Sequence, residues 1–162
     1  MDIFEFAMQM EKDGEAMYRE IADRSAHHGI KNIFTMLADD EKKHYIVFEK
    51  MKEGSTATVD DTQVLENTKN IFMKIKENKE NIPGTGPSHK AAYENAREIE
   101  KKSIEFYESK AEKVEGRAQK DMIIRIAEEE KKHAFLVENM IEFISRPESW
   151  VEDAEFNHLE EY

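Results

Sequence analysis

Ala38-Asp39-Asp40-Glu41-Lys42-Lys43-His44 returns further along the chain as Ala127-Glu128-Glu129-Glu130-Lys131-Lys132-His133. Each copy holds Glu-x-x-His, a spacing that sets a carboxylate and an imidazole on one face of a helix, one turn apart. The repeat extends upstream. Glu11 with Tyr18 matches Glu100 with Tyr107, and the offset is 89 throughout (100 − 11, 130 − 41, 133 − 44). Glu11, Glu41, Glu100 and Glu130, with His44 and His133, form a symmetric set of four carboxylates and two imidazoles. That is a ligand set for two metal ions.

Helical periodicity places all six on faces that should be buried. The first helix is expected from about Ile3 to Arg24, with Phe4, Ala7, Met8, Glu11, Gly14, Tyr18, Ile21 and Ala22 on one stripe. The second runs from about Ile30 to Lys52, after the break at His27-His28-Gly29. The third runs from about His89 to Val114, and the fourth follows Gly116 and ends near Pro147. Short breaks at Gly29 and Gly116 make two antiparallel helix pairs, each one copy of the repeat. The connection from Glu53 to Ser88 is long, with loop signals at both ends and an amphipathic stretch at Val64, Leu65, Thr68, Ile71, Phe72 and Ile75. It can run the length of the bundle, so that the second pair starts at the same end as the first. Trp150, Val151, Ala154 and Leu159 in the segment 147–162 predict a short docked helix.

Four ionised carboxylates cannot share a bundle core unpaired. Desolvation costs several kcal/mol per ion, and the four repel one another. Two divalent cations cancel the four charges, and neutral imidazoles fill further coordination positions. A lone Glu-x-x-His is ordinarily a solvated pair. Two copies on core stripes, with matched Glu partners at one offset, point to metal instead.

Tyr18 and Tyr107 lie two turns beyond Glu11 and Glu100 on the same face. They are expected either to cap the core or to bond a ligand carboxylate. Asp40 and Glu129 either accept the N–H of the histidine on the facing helix or lie in solvent. Gly14 and Ser103, one turn beyond Glu11 and Glu100, suit a pocket for dioxygen or peroxide, or simply close helix packing. His27, His28, His89 and His158 read as surface histidines.

The bulk composition excludes several classes of function. The 162 residues fit a single domain, 1–162. Cysteine is absent, which excludes disulfides, thiolate metal sites and iron–sulfur clusters in this chain. A net charge of −12 and the lack of a basic face argue against nucleic acid as a partner. No apolar run approaches a membrane span. Met1-Asp2-Ile3-Phe4-Glu5-Phe6 is acidic where a secretory signal needs basic residues. A soluble, cytoplasmic protein is expected.

At these residues the chain resembles the ferritin-like superfamily, and within it the di-iron domain of rubrerythrins, over about residues 1–146. Glu11 with Tyr18, Glu41-x-x-His44, Glu100 with Tyr107, and Glu130-x-x-His133 match that pattern position by position. The resemblance implies an all-α, ferritin-like four-helix bundle, with a long crossover containing a short helix between the second and third bundle helices. It implies two iron ions, bridged by Glu41 and Glu130, with Glu11 and Glu100 as terminal ligands and one histidine on each iron. Manganese or zinc would fit the same donors. The implied activity is reduction of hydrogen peroxide or dioxygen, with Tyr18 and Tyr107 beside the site.

Two departures bear on that activity. Rubrerythrins typically continue into a rubredoxin domain with two Cys-x-x-Cys pairs. This chain has none, so a separate rubredoxin-like donor protein is expected. Where rubrerythrins place an extra glutamate one turn after the third-helix ligand, this chain has Ser103, which makes the site more like a ferritin or bacterioferritin centre. A ferroxidase or iron-handling role is therefore the rival reading, and a metal-stabilised interaction module a second. A homodimer or larger homo-oligomer is expected from the resemblance and the apolar tail.

Overall fold

Five helices, and no strand among the described residues, make up the computed structural model, which describes residues 2–55, 57–82 and 87–146. They are α1 (Ile3–Arg24), α2 (His28–Lys52), α3 (Val64–Glu77), α4 (Pro87–Ala111) and α5 (Arg117–Ser145). The chain is all-α. α1 packs on α2 and α4 on α5; the pairs meet where α1 touches α4 and α2 touches α5, and α3 lies against α2 and α5. No described helix is long and apolar enough to cross a membrane. The tail helix expected around Trp150, and His158 with it, lie outside the described residues.

Local chemistry explains the helix ends. Asp2 caps α1 by accepting a hydrogen bond from the Glu5 N–H at 2.8 Å. Pro87 is the first residue of α4, where its missing N–H costs nothing. α4 thus begins two residues before the expected His89 and stops at Ala111 rather than Val114. α2 starts at His28, because His27 caps it: His27 Nδ1 accepts from the Gly29 N–H at 3.0 Å and the Ile30 N–H at 3.4 Å. His27 is therefore not the surface histidine expected. Its side chain is 10% exposed, and its Nε2 lies 3.0 Å from Glu80 Oε1. Gly29 is the second residue of α2 and not a break; a Cβ there would come within 2.8 Å of Ile71 Cγ2.

The buried apolar side chains fall into two clusters. One gathers Ile21, Phe34, Leu37, Phe72, Tyr93, Leu136 and Phe143; the other Ala7, Phe48, Met51, Tyr107, Ile123 and Ile126. Each fully buried Leu, Ile or Phe contributes about 1.5–3 kcal/mol. The six polar residues of the repeat sit between the clusters, in the middle of the bundle.

The clusters also fix chain direction. α1 begins in the second cluster and ends in the first, whereas α4 begins in the first and ends in the second. The second pair therefore starts at the opposite end from the first, contrary to the expectation above. Neighbouring bundle helices are all antiparallel, and the two copies are related by a two-fold axis across the bundle. The physical reason is visible at Tyr18, which bonds Glu100. Tyr18 lies seven residues beyond Glu11, about 10.5 Å of helical rise. Only if α4 runs opposite to α1 can the counterpart of Glu11 come level with Tyr18.

Candidate metal centre

All six repeat residues converge and are sealed from solvent. Glu11 is 1% exposed, Glu41 4%, Glu100 2%, and His44, Glu130 and His133 0%. Two groups of donor atoms form, each with all atoms within 4.8 Å of one another: Glu11, Glu41, His44 and Glu130 in one, and Glu41, Glu100, Glu130 and His133 in the other. Glu41 and Glu130 belong to both. α2 and α5 each place their Glu and His on one face through the three-residue spacing.

The histidines are held crosswise. His44 on α2 donates from Nε2 to Glu129 Oε1 at 2.8 Å, and its Nδ1 lies 3.1 Å from Glu130 Oε1. His133 on α5 donates from Nε2 to Asp40 Oδ2 at 2.9 Å, and its Nδ1 lies 3.0 Å from Glu41 Oε1. Nδ1 is thus the inward atom of each ring, and the carboxylate behind each ring fixes Nε2 as protonated. Asp40 and Glu129 are 8% and 4% exposed; they accept the histidine N–H of the facing helix, the first of the two alternatives.

The tyrosines also act across the pairs. Tyr18 donates to Glu100 Oε1 at 2.5 Å, and Tyr107 to Glu11 Oε1 at 2.5 Å. Burial, and then the charges of Glu100 on Tyr18 and of Glu11 on Tyr107, push both phenols well above 10, so each remains a neutral donor.

At Gly14 the second expectation, close packing between helices, holds, and the contact is specific. A Cβ at Gly14 would lie 2.8 Å from Glu41 Oε2 and 3.3 Å from its Cδ. The missing side chain makes room for the Glu41 carboxylate rather than for a pocket. At the equivalent place on α4, the Ser103 hydroxyl turns away and donates to the Ile99 carbonyl at 3.1 Å.

The electrostatics split the carboxylates the same way in both halves. Burial drives Glu41 well above 4.5, and the charges of Glu11, Glu130 and Glu100 reinforce it. Burial raises Glu130 likewise, with Glu100 and Glu11 repelling it. Burial acts to raise Glu11 too, but the neighbouring Glu41 carboxyl and the attraction of His44 overcome it and hold Glu11 at about 2. Glu100 is lowered against burial by the neighbouring Glu130 carboxyl and by His133, whose Nδ1 lies 3.4 Å from Glu100 Oε1. Burial opposes charge on the histidines, yet Glu11 above all for His44, and Asp40 for His133, raise both well above 6.5.

The donor set fits divalent metal. Oε2 of Glu11, Glu100 and Glu130 is buried without a hydrogen-bond partner. Such orphaned acceptors cost about 1–3 kcal/mol each, and more when charged. Carboxylate oxygens with imidazole nitrogens suit iron, manganese or zinc. Paired Glu and Glu-x-x-His on four helices is the general di-metal arrangement of such bundles.

The family model of rubrerythrin matches residues 2–141. The chain belongs to the rubrerythrin family. No significant match was found among curated proteins or among solved structures. Membership in the rubrerythrin family supports a ferritin-like bundle with a di-iron centre, and the buried cluster supplies carboxylates and imidazoles able to hold it. One residue at this rubrerythrin centre carried no sequence signal. Thr62, in the crossover, donates from its hydroxyl to Asp40 and from its backbone N–H to Glu129. It lies outside both copies of the repeat, so no comparison of the copies could single it out.

Proposed function

We propose that this chain is one ferritin-like di-iron domain, residues 1–162, that reduces hydrogen peroxide or dioxygen in the cytoplasm with electrons from a separate rubredoxin-like donor protein. Glu41 and Glu130 would bridge the two irons, because both belong to both donor groups. Glu11 with His44, and Glu100 with His133, would complete one site each.

The observation that carries this reading is burial: no ligand candidate exceeds 4% exposure. A centre sealed this tightly would hold its metal as a cofactor and take a small molecule as substrate. Two ferrous ions would supply one electron each, so that peroxide with two protons gives two waters.

The chain's own residues do the rest. Glu129 and Asp40 orient the rings of His44 and His133. Tyr107 and Tyr18 hold Glu11 and Glu100 in place from a distance of one hydrogen bond, and they keep their own protons. The apolar clusters on either side exclude water from the polar layer. Chains would pair as a homodimer or larger assembly, consistent with the family.

Ser103 favours a second reading. Its hydroxyl is committed to the Ile99 carbonyl, so α4 offers no further carboxylate one turn beyond Glu100. A centre limited to six ligands also suits ferroxidase chemistry, with iron as substrate. Protein loaded with ferrous iron without oxygen, then given peroxide and a reductant, separates the two. Repeated turnover at constant bound iron supports the oxidoreductase. Growth of a ferric core, without catalytic peroxide loss, would overturn it.

A further inference from the structure

The two halves of the centre are symmetric, but the segment crossing from one to the other is not. Residues 57–63 leave the end of α2 and pass over the seam between α2 and α5. Val59 is buried in the second apolar cluster, and Arg125 Nη2 on α5 holds Asp61 Oδ1 at 3.0 Å. Thr62 then meets both outer carboxylates at once. Its backbone N–H donates to Glu129 Oε2 at 2.9 Å, and its hydroxyl donates to Asp40 Oδ2. The same hydroxyl accepts from the Val64 N–H at 3.2 Å, which fixes its rotamer at the start of α3.

These bonds lead to the ligands by two separate routes. The Thr62 hydroxyl reaches Asp40 Oδ2, the same oxygen that takes His133 Nε2. The Thr62 N–H reaches Glu129, whose other oxygen takes His44 Nε2. One residue therefore backs both imidazoles, one through a side chain and the other through the main chain.

We propose that Thr62 is a positioning residue for the metal centre, and that its hydroxyl sets the affinity of the His133 site alone. The inference rests on the reading of the six ligands as a di-metal centre. Replacing Thr62 by valine removes the hydroxyl and keeps the N–H, so one half of the symmetric centre is weakened and the other is not. Carboxylates that hold ligand histidines are worth about 10–100-fold in metal affinity. Loss of the bond that steadies one of them should fall at the lower end, about tenfold.

The test is anaerobic cobalt(II) titration, followed by native mass spectrometry and the visible ligand-field bands. Thr62→Val keeps the side-chain shape and loses the donor. One binding step should weaken about tenfold while the other stays at the wild-type value, and the bands of the weakened site should change. Thr62→Ser should restore both steps. In an Asp40→Ala background Thr62→Val should cost nothing more, whereas in a Glu129→Ala background its cost should be undiminished. Should valine distort the crossover, Thr62→Ala repeats the comparison. Equal losses in the two backgrounds, equal weakening of both steps, or no weakening at all would overturn the proposal. Wild-type protein that fails to take two cobalt ions would instead overturn the di-metal reading beneath it.

Discussion

The hydroxyl of Tyr18 lies 2.5 Å from Oε1 of Glu100, a residue of the other helix pair, and not on the carboxylate of its own helix. Tyr107 makes the reciprocal bond to Glu11. Each tyrosine thus fixes one oxygen of a carboxylate and leaves the other, Oε2, buried without a hydrogen-bond partner. Tyr18→Phe should lower the stability of the metal-free protein by about 2 kcal/mol, since a bond to a charged acceptor is lost. Both metals should still bind, and peroxide turnover should fall by no more than about 100-fold. Denaturant unfolding and metal analysis of the same preparation check this; loss of both metals would contradict it.

Stability of the metal-free protein should peak in mild acid. Glu41 and Glu130 are raised above 4.5 on folding, so their contribution is complete below that value and is lost as pH climbs through their folded pKa. His44 and His133 are raised above 6.5 and behave the same way from a higher start. Glu11, held at about 2, has the opposite sign: its contribution is present above 4.5 and is lost as pH falls towards 2. Glu100 is lowered and adds to that side. The melting temperature without metal should therefore be highest near pH 4.5, fall below it, and fall above it too, more steeply beyond pH 6.5 as the histidines add their loss. Binding of two divalent ions should release protons, since the metal displaces those the raised carboxyls and imidazoles hold, and the release is measurable in weak buffer. A flat melting profile from pH 5 to 8 would refute the assignment of these charges.

Loss of a shared carboxylate should be worse than loss of an imidazole. Glu41→Ala or Glu130→Ala takes a donor from both groups, whereas His44→Ala or His133→Ala takes one from a single group. The glutamate variants should bind no metal pair and consume no peroxide. The histidine variants should retain about one ion and oxidise slowly. Native mass spectrometry gives the stoichiometry. Glu41→Ala with two ions and undiminished turnover would exclude this centre as the active site.

Gly14→Ala isolates the space that Glu41 occupies. Alanine gains about 1 kcal/mol of helix propensity, but its Cβ would stand 2.8 Å from Glu41 Oε2. The carboxylate must shift. Folding of the metal-free protein should change by no more than about 1 kcal/mol, while metal affinity drops at least about tenfold. Isothermal titration set beside thermal melts checks both. Affinity equal to wild type would mean that the Glu41 carboxylate has room elsewhere.

Much of the centre was legible because the chain states it twice. Glu41, His44, Glu130 and His133 interrupt apolar stripes at one offset, and the burial of all four follows from helical period alone. The alternative roles of Asp40 and Glu129 were visible too, although only packing could choose between them. Chain direction was not legible. A connection long enough to span the bundle once leaves α4 free to start at either end, and the decision rests on the reach of Tyr18 to Glu100 and of Tyr107 to Glu11. His27 was misplaced for a related reason: a histidine before a glycine gives no sign that its ring will cap the next helix. Gly14 and Ser103 could be paired by offset, but the volume at Gly14 depends on the Glu41 rotamer, which belongs to another helix.

The reciprocal bonds bind the histories of the two halves together. Each donor group takes three residues from one hairpin and one from the other, and each tyrosine serves the opposite hairpin. Two identical copies of a single such hairpin, associated about the same axis, would already present every one of these contacts. In one chain, each half can vary freely only where the other does not lean on it. A change at Glu11 is felt at Tyr107 rather than at Tyr18, and a change at Asp40 at His133 rather than at His44, so inheritance at this centre runs between the copies and not along them.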